Sequence, residues 1–122
     1  MQFMLLIYED PEGFNARTTD KSAPLVAAWR AYYQALVDAG VYVSGTPLQP
    51  VTTATTVRLK DGKHHVQDGP YADTKEQLGG ICILELPSLD AALAWATRCP
   101  AATYGVVEVR PLDPDMRDAV ET

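Results

Sequence analysis

The chain has 122 residues, 47% of them hydrophobic, which is enough for one domain with a core and too little for two. Sixteen acidic residues against ten basic give a formal charge of -6, which opposes binding to a phosphate backbone; Lys60 and Lys63 with His64 and His65 are the nearest approach to a basic patch. Nucleic acid is therefore not an expected partner. The apolar run over residues 1 to 8 lacks the basic start and cleavage site of a signal peptide and is too short to span a bilayer, so no membrane contact and a cytoplasmic location are expected. Cys82 and Cys99 stand at no metal-ligand spacing and read as reduced thiols packed as small apolar groups.

Phe3 to Tyr8 is a continuous apolar run closed by Glu9-Asp10-Pro11, the pattern of a central strand covered on both faces. Glu12 to Lys21 has no period and reads as a polar loop, of a size that often carries function or motion. Ser22 is placed to cap a helix that tolerates Pro24 in its first turn. Its sheet-facing stripe is Leu25, Ala28, Trp29, Tyr32, Leu36 and Ala39, with Tyr33 and Val37 on the flank and Gly40 as the stop. Val41 to Gly45 reads as the next strand and Thr46 to Thr56 as an extended connection. Thr56 to Leu59 and His64 to Gln67 flank Lys60-Asp61-Gly62-Lys63, whose Asp-Gly centre signals a hairpin.

Asp68 to Gly80 follows, a loop dense in ionisable groups around Pro70, with Gly79-Gly80 free to turn or to pass close to a neighbour. Ile81 to Leu86 is a second buried strand. Pro87-Ser88 opens a helix through Arg98 with Leu89, Ala92, Leu93 and Ala96 on one side, and Cys99-Pro100 ends it. Val106 to Arg110 is the last strand. One domain over residues 1–112 is expected, with a charged tail over 113–122 that is loose or packed on a partner.

Two strand-helix-strand halves around a hairpin predict an α+β, ferredoxin-like sheet with helices on one face. The far face of so apolar a sheet needs cover. A homodimer with two sheets packed face to face about a two-fold axis supplies it.

Met4 to Tyr8, Ala54 to Arg58, Asp68-Gly69-Pro70-Tyr71 with Thr74 to Gly80, and Val107 to Pro111 together resemble the DGPF family of YCII-related proteins over nearly the whole chain. Tyr71 stands where that family usually has Phe, and Asp73 where it usually has Glu. The resemblance implies a dimeric α/β barrel of the ferredoxin-like kind and a biochemical role that is largely unsettled. In related YCII proteins an Asp-His pair has been proposed to be catalytic, and the resemblance puts the Asp on Asp68. The histidine carries over less cleanly: His64 and His65 are adjacent on a strand and point to opposite faces, so at most one of them faces Asp68.

The residues themselves leave several roles open. Asp68 either accepts backbone amides as a turn cap or faces a cleft as a general base, and it is the one catalytic candidate. Tyr8, Tyr71, Lys75, Glu76 and Arg110 are the ligand-binding candidates. Lys75 and Arg110 offer point charge to a carboxylate or phosphate, and the two tyrosines offer hydroxyls, against a plain reading as exposed charge and packed rings. No metal or cofactor is expected: histidine spacing suits neither zinc nor iron, and no P-loop or dinucleotide pattern surrounds Gly79-Gly80. Three functions stay open: a small-molecule site around Asp68 and Tyr71 that binds or weakly acts on an acidic compound, an accessory protein of an extracytoplasmic-function sigma factor system, as the resemblance implies, or a dimeric scaffold.

Overall fold

Phe3, Leu5, Ile7 and Glu9 lie on one side of the first strand and are buried, while the residues between them are half-covered. That alternation is the signature of a sheet with one packed face and one open face. The computed structural model describes residues 1–122, with strands β1 (Gln2–Glu9), β2 (Tyr42–Pro47), β3 (Thr55–Lys60), β4 (Lys63–Asp68), β5 (Gln77–Glu85) and β6 (Val106–Pro111). The helices are α1 (Pro11–Asn15), α2 (Ser22–Asp38), α3 (Leu89–Arg98), α4 (Ala101–Tyr104) and α5 (Pro114–Glu121). Four strands form one antiparallel sheet in the order β2-β5-β1-β6, and β3-β4 forms a separate two-stranded sheet. The fold is α+β and ferredoxin-like: two split strand-helix-strand units interleave so that β1 and β5 hold the centre.

The core lies between that sheet and α2 and α3. Leu5 and Leu84 are fully buried and Phe3 and Leu36 nearly so, each such side chain worth roughly 1.5–3 kcal/mol. Tyr32 and Leu36 carry the buried stripe of α2, with Leu25 and Trp29 half-covered; Ala28 and Ala39, expected in that stripe, are exposed. On α3 the buried pair is Ala92 and Ala96, whereas Leu89 and Leu93 are about half exposed. Small side chains let this helix sit close to the sheet, and the Tyr32 and Trp95 rings fill the space beside it, edge to face at 6.2 Å. Cys82 and Cys99 are buried free thiols.

Two segments differ from expectation for one shared reason. The polar loop expected over Glu12 to Lys21 contains most of α1 and a short 3-10 turn (Ala16–Thr18), and the C-terminal tail, expected to be loose or packed on a partner, contains α5. Asp10 and Asp113 each accept an amide hydrogen bond at 2.9 Å, from Gly13 and Met116, and Pro11 and Pro114 follow as first helical residues. Asp-Pro satisfies an orphan amide and fixes φ for entry into a helix. At α2, by contrast, Ser22 is the first helical residue, and Lys21 before it gives no side-chain cap. β5 begins at Gln77 instead of Ile81, so Gly79-Gly80 is strand, not turn.

Burial also fixes how stability responds to alkali. Desolvation pushes the Cys82 and Cys99 thiols from an ordinary 9.0 up to about 11, and the Tyr104 hydroxyl from 10.0 up to about 12. The folded state holds these protons more tightly than the unfolded chain. Their contribution is complete below pH 9 and is lost as pH rises through 9 to 12. We expect urea midpoints to fall over that window, with Cys82 and Cys99 reacting slowly with a thiol reagent at pH 8 until the protein is unfolded; fast native-state labelling would contradict this.

Candidate functional site

The buried phase of β1 ends on a carboxylate. Glu9 is 4% exposed, the one buried charged residue, and Gly13 and Gly79 leave the space it occupies. Arg17, on the 3-10 turn after α1, donates to Glu9 Oε2 at 3.1 Å and to the Gly79 carbonyl at 2.9 Å. It also donates to the Leu48 carbonyl and lies over the Phe14 ring at 4.8 Å. Trp29 Nε1 donates to the Tyr104 hydroxyl at 3.0 Å, which donates to Glu9 Oε1 at 3.4 Å. Both carboxylate oxygens therefore have donors, which is what a buried charge requires.

A bulge in β5 makes this possible. Ile7 pairs with Gly80 and Tyr8 with Leu78, so Gly79 is an extra residue opposite no partner. Its carbonyl accepts from Arg17 and also from the Leu48 amide at 2.8 Å. Bulges re-aim backbone groups and are enriched beside functional sites.

The Glu9-Arg17 pair lines a cavity of about 630 Å³ between α2 and the core face of the sheet. This lies within the range of small-molecule sites, roughly 300–1,000 Å³. Its walls are aromatic and aliphatic, with Trp29, Tyr33 and Tyr42 prominent, the last two edge to face at 4.9 Å. Arg30 is exposed on α2 at the cavity's lining and makes no ion pair. Tyr32 Oη donates to the Trp95 carbonyl at 2.7 Å, so it acts as a wall and not as a free hydroxyl. A small anion with an apolar body would find a cation at the mouth, aromatic faces along the wall and a polar end.

None of the six residues expected to carry function lines this cavity. Asp68 ends β4 and is exposed; the turn after it is held by Gly69, at φ +100, whose amide donates to the Ala54 carbonyl. Tyr71 is 75% exposed under the Arg58 guanidinium, 5.4 Å from its ring centre. Lys75 is exposed and Glu76 half-covered. Tyr8 and Arg110 lie on the open face of the main sheet, where the Tyr8 hydroxyl donates to Glu108 Oε1 at 3.2 Å, and partial burial and that carboxylate push the Tyr8 hydroxyl up. His64 and His65 are both exposed on β4. What the Asp68 to Gly80 stretch brings to the cavity is its last two residues.

Neither Glu9 nor Arg17 is among the residues expected from the sequence to carry function. The signal was the phase: if Phe3, Leu5 and Ile7 face the core, Glu9 must too.

The YCII-related domain matches residues 1–114. An uncharacterised protein of Rhizobium meliloti (strain 1021) is 35% identical over 114 residues, 92% of this chain and 92% of its own length. The chain belongs to the YCII-related domain family. Among solved structures, it is similar to the 5-chloro-2-hydroxyhydroquinone dehydrochlorinase of Burkholderia phenoliruptrix AC1100, in complex with 2,5-dihydroxybenzoquinone. That likeness has a TM-score of 0.54 at 19% identity, covering 96% of this chain and 98% of the other, and it is a likeness of fold. No helix is long and apolar enough to cross a membrane.

Proposed function

We propose that this protein binds a small acidic molecule in the cavity between α2 and the sheet, acting as a homodimer. The observation that carries the reading is the cavity of about 630 Å³ with the Glu9-Arg17 ion pair and an unpaired Arg30 in its lining. Arg17 has spent most of its donors on Glu9 and two carbonyls, so it holds the polar end in shape, and Arg30 is the cation left for a ligand. The aromatic walls suit a planar body, and the solved structure of the dehydrochlorinase with 2,5-dihydroxybenzoquinone is in keeping with a ligand of that size. The dimer is supported by the open sheet face, where Met4, Leu6, Ile81 and Ile83 are only half-covered within one chain.

A thermal-shift screen against small carboxylates, aromatic acids foremost, tests the binding site. A hit is expected to raise the Tm of the wild type with saturating concentration dependence, and to fail on Arg30→Ala. The Asp68→Asn and Lys75→Ala proteins run beside it decide the part played by the Asp-Gly-Pro-Tyr loop. If Arg30→Ala responds as the wild type does while Asp68→Asn or Lys75→Ala does not, the site belongs to the loop and not to the cavity.

A further inference from the structure

The cavity between α2 and the sheet has two unlike polar ends, and the hydrogen bonds already made within the chain tell them apart. At Glu9, Oε2 is held by Arg17 at 3.1 Å, while Oε1 has only the Tyr104 hydroxyl at 3.4 Å, beyond the usual reach of an O–H donor. A carboxylate oxygen carries two lone pairs, so Oε1 keeps acceptor capacity and has nothing to donate. At the other end the Tyr42 ring packs edge to face on Tyr33, and its hydroxyl stands 3.4 Å from where a side chain at Gly45 would begin. That hydroxyl has no hydrogen-bond partner in the chain, and since no fully buried polar side-chain atom lacks one, it is accessible. Burial, and after it the Cys82 thiol and the Tyr33 hydroxyl, push the Tyr42 hydroxyl up, so it holds its proton and donates. Arg30 precedes Tyr33 by one helical turn and belongs to the same half of the cavity.

Strand register fixes how far apart the two ends are. Gly45 pairs with Cys82 and Cys82 with Leu5, so the Tyr42 hydroxyl lies at the level of Leu5, four residues before Glu9 on β1. Four residues of strand span roughly 13 Å. One aromatic ring with a polar group at each end, and a hydrogen bond beyond each, fills that separation. We propose that the ligand is an aromatic acid carrying a hydroxyl or amine across the ring from its carboxylate, the acid meeting Arg30 and Tyr42 and the donor meeting Glu9 Oε1. The inference rests on the ligand-binding reading of this cavity, and adds to it the ligand's second functional group and the residues that select it. Glu9 repels a second carboxylate and offers nothing to an ether or a ketone, which only accept. It ranks a donor-bearing ring above a bare one, because a hydrogen bond to a charged acceptor is stronger than one between neutral groups. Tyr42 works at the acid end, where a neutral donor supplements the exposed Arg30 guanidinium.

The test is calorimetric titration of the full chain with benzoate and its para-hydroxy, para-amino, para-methoxy and para-carboxy derivatives. The wild type is expected to bind the hydroxy and amino probes about tenfold or more tighter than benzoate, and the methoxy and dicarboxylate probes no better than benzoate. Glu9→Gln is expected to bind benzoate still and to lose most of the preference for the hydroxyl. Tyr42→Phe keeps the ring and is expected to weaken every probe alike, about two- to tenfold, with the preference intact. Failure of all the probes to bind, or binding that Arg30→Ala leaves unchanged, overturns the binding reading and this inference with it. Binding that depends on Arg30 but is equal for hydroxy, methoxy and bare rings leaves that reading standing and overturns the role of Glu9. A preference that survives Glu9→Gln undiminished overturns that role as well. Should Glu9→Gln not fold, the hydroxy probe against the methoxy probe on the wild type decides alone.

Discussion

Arg17→Met is expected to destabilise the protein by about 3 kcal/mol, lowering Tm on the order of 10 °C in a chain of this size. Methionine keeps an apolar stem against Phe14 but removes every donor the guanidinium supplies. Glu9, 5% exposed in its side chain, would keep only the 3.4 Å bond from Tyr104, and the Leu48 carbonyl would lose a donor. Breaking a buried pair from one side typically costs about 3–5 kcal/mol because the remaining charge stays out of water. The lower end applies because Arg17 itself retains 24% side-chain exposure and water can reach its position. Glu9→Gln combined with Arg17→Met should recover part of the loss, since no uncompensated charge then remains. Urea denaturation of the single and the double variant checks this. A loss below about 1 kcal/mol for Arg17→Met would mean that the pair is no better than an exposed one.

This cost bears on function because the ion pair shapes the cavity and does not fill it. Glu9 lies at the end of β1, Arg17 after α1, Gly79 in β5 and Tyr104 in α4, so four elements meet at one carboxylate. A ligand site built on such a junction is rigid before the ligand arrives, which limits the ordering cost of binding. Arg30 stands outside the junction, on the exposed side of α2. Its removal should spare stability and affect binding alone, so the two arginines are separable by experiment.

The sequence made the sheet and both long helices readable, since Phe3 to Tyr8, Leu25 to Leu36 and Ile81 to Leu86 carry the period and the apolar content that these elements need. It also located the hairpin, because Asp61-Gly62 supplies the two left-handed residues of a tight turn. What was missed has particular causes. The apolar side expected on α3 holds Leu89, Ala92, Leu93 and Ala96, but a helix lying close to a sheet buries only the small pair, Ala92 and Ala96, and leaves the two leucines about half exposed. Reading Phe3 to Tyr8 as buried on both faces erased the phase that would have carried Glu9 inward. Two short helices were hidden because neither α1 nor α5 has an apolar stripe long enough to show a period, although Asp10-Pro11 and Asp113-Pro114 spelled their starts. The Asp68 to Gly80 stretch contributes to the candidate site through its two glycines and not through its charges.

Gly79→Ala is the substitution that tests this last point, with an expected loss of about 3 kcal/mol. No left-handed backbone is involved, so the cost is one of space. A methyl group at this position would stand 3.0 Å from Arg17 Nη2, 3.1 Å from Glu9 Cδ and 3.2 Å from Glu9 Oε2. The end of an arginine side chain would ordinarily move aside cheaply, but this one is fixed by Glu9 and by the Gly79 and Leu48 carbonyls. The methyl group must therefore displace the pair or spread β5 from β1 at the bulge. Gly80→Ala is a useful contrast: its added carbon meets the Thr46 carbonyl at 3.2 Å and then only ordinary contacts, so a shift of a few tenths of an ångström relieves it. The two substitutions at the ion pair should be strongly coupled. In an Arg17→Met background the space opens, and Gly79→Ala should cost at least about 1 kcal/mol less than in the wild type. Strict additivity in that cycle would show that glycine is required at position 79 by the strand and not by the buried charge beside it.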